Sequence, residues 1–138
     1  MIHYNHYLKV YYRDVDKMGI VYYSRYFEYF EEARTELLSS IGLDIISIEN
    51  SGFFLPVISA HCDYKKGLRL EQKAILKTSI LEIPKSKLKI DYIIQSNKSN
   101  SFYIKGYTEH AFIKDNGKPT RAPILILNVM KKYMEMNK

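Results

Sequence analysis

The sequence predicts an α+β fold: a five-stranded, curved antiparallel sheet wrapped around one long central helix. Three observations lead there. Tyr4, His6, Leu8, Val10 and Tyr12 alternate with Lys9, Tyr11 and Arg13, the period-two signature of a strand. Tyr26, Tyr29, Phe30, Ala33, Leu37 and Ile41 then recur at helical spacing. Four further strand-like segments follow, separated by short turns, and strands joined so closely pair antiparallel because parallel pairs need long crossovers.

The first strand runs into Arg13-Asp14-Val15-Asp16-Lys17-Met18-Gly19, a polar stretch rich in turn formers. Ser24 stands where a helix N-cap belongs, Glu28, Glu31, Glu32 and Glu36 fill the polar positions, and Gly42 marks the stop. The apolar stripe between them is wide and mostly aromatic, which predicts an enclosed helix. Beyond a loop at Asn50-Ser51-Gly52, strands are expected at Phe53–Tyr64, Leu70–Ile83, Ser86–Gln95 and Phe102–Lys114. Ser96 to Asn100 and Asp115-Asn116-Gly117 read as turns, and Pro123 opens a C-terminal helix through Tyr133.

A chain of 138 residues is sized for one domain, here spanning 1–138, with neither repeat nor linker. At 46% hydrophobic and 26% charged residues it holds enough apolar surface to offset chain entropy, which excludes disorder. No apolar run is long enough for a membrane span, so no membrane insertion is expected, and the first ten residues lack the apolar core of a signal peptide. A single cysteine, Cys62, forms no internal disulfide and no cysteine metal cluster; a reduced, cytoplasmic setting follows. The formal charge of +6 favours an anionic partner without choosing one. Thirteen tyrosines and no tryptophan suit subunit interfaces and half-buried clefts.

Conventional catalytic pairs are scarce. His61 and Cys62 are strand neighbours and point to opposite faces, so they cannot form a Cys–His nucleophile. No metal-ligand spacing and no Gly-rich phosphate loop occurs. The informative stretch is Asp14 to Tyr26, where two acids, a glycine and a tyrosine pair directly precede a helix N-terminus. Such an arrangement sets a carboxylate near backbone N–H groups that have no intrahelical partner and can hold a developing oxyanion. The same two acids are also ordinary turn formers.

This stretch resembles the motif of hot-dog-fold acyl-CoA thioesterases of the 4-hydroxybenzoyl-CoA thioesterase type, closest to the small bacterial enzymes found with the Tol–Pal system. Tyr11-Tyr12, Asp14, Asp16, Gly19-Ile20-Val21-Tyr22, Tyr26, Tyr29-Phe30-Glu31, Ala33-Arg34 and Glu36 carry the resemblance, with Leu55-Pro56-Val57 and Asp63-Tyr64 further on. It implies a hot-dog fold and hydrolysis of an acyl or aryl coenzyme A thioester to the free acid and coenzyme A. Asp16 matches the catalytic carboxylate, as base or nucleophile, and the Tyr23 backbone N–H matches the oxyanion donor. Tyr12, near the acyl site, and Tyr22 are assigned to substrate binding. Lys85, Lys87 and Arg121 lie in segments where the family places groups that hold the coenzyme A phosphates.

The resemblance also implies no metal or redox cofactor and a homodimer or homotetramer with sites built from two subunits. Departures are Tyr23, where many relatives carry His, Met18, and Gly67-Leu68. Rival readings are an acyl-carrier-protein or quinone-pathway aryl-CoA thioesterase, a non-catalytic acyl-CoA binder, and a basic, aromatic-rich nucleic-acid module. The favoured reading expects no nucleic acid. A hot-dog dehydratase is disfavoured because no His occupies the motif.

Overall fold

The computed structural model describes residues 1–98 and 101–137. Its elements in chain order are β1 (Ile2–Lys9), a 3₁₀ turn (Tyr12–Asp14), α1 (Arg25–Ser40), α2 (Ile45–Asn50), β2 (Phe53–Phe54), β3 (Val57–Tyr64), β4 (Lys73–Ile80), β5 (Lys87–Ser96), β6 (Phe102–Lys114), β7 (Pro119–Thr120) and α3 (Ile124–Met136). The long strands lie in the order β1-β4-β5-β6-β3, every neighbouring pair antiparallel.

The expectation of five strands is corrected to seven. Five are long; β2 and β7 are two-residue strands that both pair with the end of β6. The single strand expected at Phe53–Tyr64 is broken at Leu55-Pro56, because proline has no N–H to give a ladder. The first strand stops at Lys9 and does not reach Tyr12, since the chain leaves the ladder for the 3₁₀ turn. Residues 45–50 form α2, where Asp44 caps the helix by accepting from the Ser47 N–H at 3.2 Å. Ser24 does occupy the N-cap position of α1, but its side chain makes no capping bond. The turn expected over Ser96 to Asn100 extends to residues 99 and 100, which lie outside the described residues.

One face of the sheet carries the core. Ala74, Leu76 and Ile80 of β4, Leu88, Ile90, Tyr92 and Ile94 of β5, and Ile104 and Phe112 of β6 are all buried. They meet the stripe read from the sequence, for Tyr26, Tyr29, Phe30, Ala33 and Leu37 of α1 are buried too. Phe30 stacks on Tyr92 with centroids 4.2 Å apart. The close approach of α1 to β6 depends on Gly106: a Cβ there would overlap the His61 carbonyl oxygen and sit 2.9 Å from the Phe30 ring.

A polar chain crosses this core. His110 Nδ1 lies 3.0 Å from the Leu55 carbonyl oxygen, which can only accept, so Nδ1 carries the proton. Nε2 of the neutral ring then accepts from the Thr108 hydroxyl at 2.9 Å, and Thr108 in turn accepts from the Tyr92 hydroxyl at 2.7 Å. Burial lowers the His110 pKa, the Leu55 bond opposes that shift, and the nearby charge of Arg34 adds to it. A buried base that resists protonation makes the unfolded chain bind more protons, so stability is lost as pH falls below the ordinary histidine value of about 6.5. Thermal melts from pH 8 to 5 are expected to show Tm dropping through that window, with the drop reduced in His110→Gln.

Candidate active site

The chain from Val10 to Ser24 is a loop tied at both ends to the segment between β3 and β4. Val10 donates to Gln72 and accepts from Glu71, Val21 donates to Leu68, and Leu70 donates to Gly19, each at 2.9–3.0 Å. Tyr26 reinforces the tie by accepting the Leu68 N–H on its hydroxyl at 3.0 Å. The loop closes on itself where Asp16 N–H donates to the Ile20 carbonyl at 2.9 Å and Gly19, at φ +75°, donates to the Asp16 carbonyl at 3.1 Å. That left-handed backbone is why glycine follows Met18.

Asp16 is exposed, and its Oδ1 accepts from the Met18 N–H at 2.8 Å and the Ile20 N–H at 3.3 Å. One carboxylate oxygen is thus fixed by the turn, while Oδ2 has no partner among the described residues. Asp14 is a different residue altogether. It is 4% exposed; Oδ2 accepts the Tyr11 N–H at 3.0 Å and Oδ1 lies 3.4 Å from Arg25 Nε. Arg25 is held in turn by both Glu28 oxygens at 2.6 and 2.7 Å and by the Arg13 carbonyl at 3.1 Å. The buried Tyr29 hydroxyl stands beside the Asp14 carboxylate; its pKa is raised by burial, then by that carboxylate. Asp14 therefore anchors the loop to α1.

At the entrance to α1 the backbone donors divide. Tyr22 N–H donates to the Asp14 carbonyl at 3.0 Å and Arg25 N–H to the Tyr22 carbonyl at 2.9 Å. The N–H groups of Tyr23 and Ser24, between them, have no acceptor among the described residues. The Tyr64 hydroxyl donates to the Tyr23 carbonyl at 3.0 Å, which fixes the orientation of that peptide. The Tyr22 and Tyr23 rings lie 4.8 Å apart, and the neighbouring Tyr23 hydroxyl, through hydrogen bonding and then charge, pushes the Tyr22 pKa up. Tyr12 is 83% exposed, and Met18, Tyr22 and Tyr23 are exposed with it, so the loop presents an uncovered aromatic surface.

The other candidates form a second group. The Ala122 N–H donates to the Lys85 carbonyl at 2.7 Å, which brings the Lys85 and Arg121 segments together. Lys85 and Lys87 line a cleft of about 360 Å³. Strand register sets the two groups apart. Leu88, His110 and Val57 are in line across β5, β6 and β3, as are Ile94, Ile104 and Tyr64. Lys87 lies one residue beyond the first line, opposite Ala111, and Tyr64, bonded to Tyr23, belongs to the second. The two lines are six strand residues, about 20 Å, apart. Asp16, Tyr12, Tyr22 and Tyr23 share one end of the molecule, and Lys85, Lys87 and Arg121 share the other.

Sequence reasoning missed three residues that hold the first group. Arg25, Tyr64 and the buried Asp14 carry contacts from separate elements, and nothing in their local spacing announces this. Tyr64 was present in the motif without a role. Among the described residues no three His, Cys, Asp or Glu side chains gather as metal ligands, and no helix is long and apolar enough to cross a membrane.

A helix crossing one face of an antiparallel sheet, with an acid-bearing loop at its N-terminus, defines the hot-dog thioesterase class. The chain belongs to the thioesterase-like superfamily, whose sequence profile matches residues 10–132, and it is a thioester hydrolase. It is similar to the DHNA-CoA thioesterase of Staphylococcus aureus, with 27% identity and a TM-score of 0.88 over 99% of this chain and 94% of that one. A hypothetical protein of Aquifex aeolicus, AQ1494, is 30% identical with a TM-score of 0.84 over 91% of this chain and 98% of its own. The acyl-CoA thioesterase YbgC of Haemophilus influenzae is 31% identical over 77 residues, 55% of this chain and 57% of its own.

Proposed function

We propose that the protein hydrolyses an acyl or aryl coenzyme A thioester to the carboxylic acid and free coenzyme A, with Asp16 as the reacting carboxylate. One observation carries this reading: a carboxylate with one fixed and one unpartnered oxygen lies on the same loop as two unpartnered N–H groups at a helix N-terminus. The Tyr23 N–H is the oxyanion donor, and Tyr64 fixes the next peptide, which carries the Ser24 N–H. Negative charge that develops on the thioester oxygen is stabilised there by a dipole already in place. Asp16 either removes a proton from the attacking water or attacks the carbonyl carbon itself. In the second route coenzyme A leaves as the thiolate, and water then cleaves the resulting anhydride. The names of the Staphylococcus aureus and Haemophilus influenzae relatives support a coenzyme A substrate, and the aryl-CoA named in the first keeps both acyl and aryl groups in view.

The site is completed by a second copy. β3 ends the sheet and pairs only with β6 among the described residues, yet it exposes Val57, Ile58 and Tyr64. A free edge with apolar side chains is a template for pairing. Two-fold pairing of β3 with its copy runs the strands antiparallel, so the Tyr64 end of one protomer meets the Val57 end of the other. That places the Lys85, Lys87 and Arg121 group of one copy beside the Asp16 loop of its neighbour, where it can take the phosphates of coenzyme A. Tyr12 and Tyr22 then face the acyl group, and a tetramer of two such dimers covers further exposed tyrosine. The unpaired thiol of Cys62 suits a reducing, cytoplasmic setting.

Release of thiol from short, long and aromatic acyl-CoAs, read with a thiol-reactive dye, tests the activity; no release from any of them rejects it. Neutralising Lys85, Lys87 and Arg121 together is expected to raise KM roughly tenfold with kcat little changed, because the nucleotide is remote from the bond that breaks. An unchanged KM removes these three from the site.

A further inference from the structure

The end of the protein that bears Lys85 and Arg121 has a second character that hydrolysis does not use. Leu81, Ile83, Ile124 and Leu125 all stand exposed there, each within four residues of the Ala122–Lys85 hydrogen bond that joins the two segments. Ile124 is 75% exposed and Leu81 56%; Leu81 and Ile83 help to line the cleft that holds Lys85 and Lys87, and Ile124 and Leu125 stand outside it. The surrounding charge is net positive. Segments 81–87 and 114–121 carry Lys85, Lys87, Lys114, Lys118 and Arg121, all exposed, against Glu82 and Asp115. β5 begins here and β6 ends here, and the β6–β7 turn keeps the lysines on the same end as the aliphatic tips.

We propose that this end docks on an anionic lipid bilayer. The lysines and arginine supply the electrostatic attraction, at about 1 kcal/mol per basic residue near such a surface. The aliphatic tips enter the boundary between headgroups and acyl chains, where each gains by leaving water. The contact is peripheral, since no helix is long and apolar enough to cross. A bilayer fits better than an acidic protein because Ile124 and Leu125, exposed outside any cleft, need no matching pocket in a fluid surface. A protein partner would have to supply one for each. The proposal goes beyond thioester hydrolysis; it shares Lys85, Lys87 and Arg121 with the nucleotide assignment, whereas Lys114 and Lys118 belong to this surface alone.

The test is co-sedimentation of the protein with vesicles of phosphatidylcholine and phosphatidylglycerol, against vesicles of phosphatidylcholine alone. Binding is expected to the anionic vesicles only and to weaken as salt is raised. The combined variant Ile124→Ser, Leu125→Ser should lower vesicle binding roughly tenfold or more while thiol release from soluble acyl-CoA is unchanged. These side chains are exposed, so the fold is retained; Lys114→Glu with Lys118→Glu is the independent charge variant and should lower binding as well. Equal binding to both vesicle types, or to neither, overturns the proposal. So does a double variant that shifts the sedimenting mass of the free protein, which assigns the patch to contacts between copies. Loss of binding to purified acidic acyl-carrier protein, with vesicle binding intact, assigns it to a protein partner.

Discussion

Asp16→Asn is expected to lower kcat by roughly 10²–10⁴, the range for loss of a general base, with Tm nearly unchanged. The geometry explains why the two readouts separate. Both turn bonds of Asp16 end on Oδ1, from Met18 and Ile20. The asparagine carbonyl can accept the same two N–H groups, so the turn keeps its closure while the base or nucleophile is gone. Asp14→Asn is the comparison. It removes a buried charge from Arg25, which still holds Glu28, so stability falls by about 1–2 kcal/mol, discounted because Arg25 is partly exposed. Turnover per folded molecule should fall less than in Asp16→Asn. If Asp16→Asn melts early and retains its turnover, Asp16 is a turn residue and the catalytic assignment goes. Single turnover in ¹⁸O water identifies one route: an unlabelled first acid requires attack by Asp16 followed by opening of the anhydride at the Asp16 carbonyl, whereas general-base attack by water always labels the acid.

The largest effect on folding is expected at Gly106. Valine there must place its Cβ against the His61 carbonyl and the Phe30 ring, a strand backbone on one side and a stacked core aromatic on the other. Neither can give way cheaply. A cost of about 3 kcal/mol, at the top of the usual range for overpacking, should lower Tm by roughly 10 °C. Calorimetry of Gly106→Val checks this, and alanine should give a smaller drop in the same direction. An unchanged Tm would mean that α1 does not approach β6 as closely as the structure has it.

Much of the architecture was legible because it rests on periodicity. Leu88, Ile90, Tyr92 and Ile94 alternate and are buried as a set; Tyr26, Tyr29, Phe30, Ala33 and Leu37 follow the helical period and are buried as a set. What failed was local and short. α2 has only six residues, too few for a period to declare itself, and β2 and β7 exist only because β6 is long enough to pair with both. Ser24 has the chemistry of a cap without making the bond. The loop was legible as a motif, but the unlike environments of Asp14 and Asp16 were not. One acid is buried against Arg25 and the other exposed on a turn, a difference set by tertiary contacts two residues apart. The separation of Lys85 from Asp16 likewise needs strand register, which no spacing along the chain encodes.

The pairing of β1 with β4 has a consequence for how the chain reaches this structure. Ile2 lies opposite Ile80 and Lys9 opposite Lys73, so the first strand finds its partner only after the helix and β3 have been passed over. β4, β5 and β6, by contrast, neighbour one another in sequence and close small loops. Loop entropy favours the β4–β5–β6 meander as the early structure, with β1 added late, and long-range pairing of this kind sets refolding in the millisecond-to-second range. Substitutions such as Leu8→Ala should therefore speed unfolding and leave the folding rate almost untouched, whereas Ile90→Val should slow folding itself. The loop that holds Asp16 follows β1 directly, so it takes its working shape in the last step of folding.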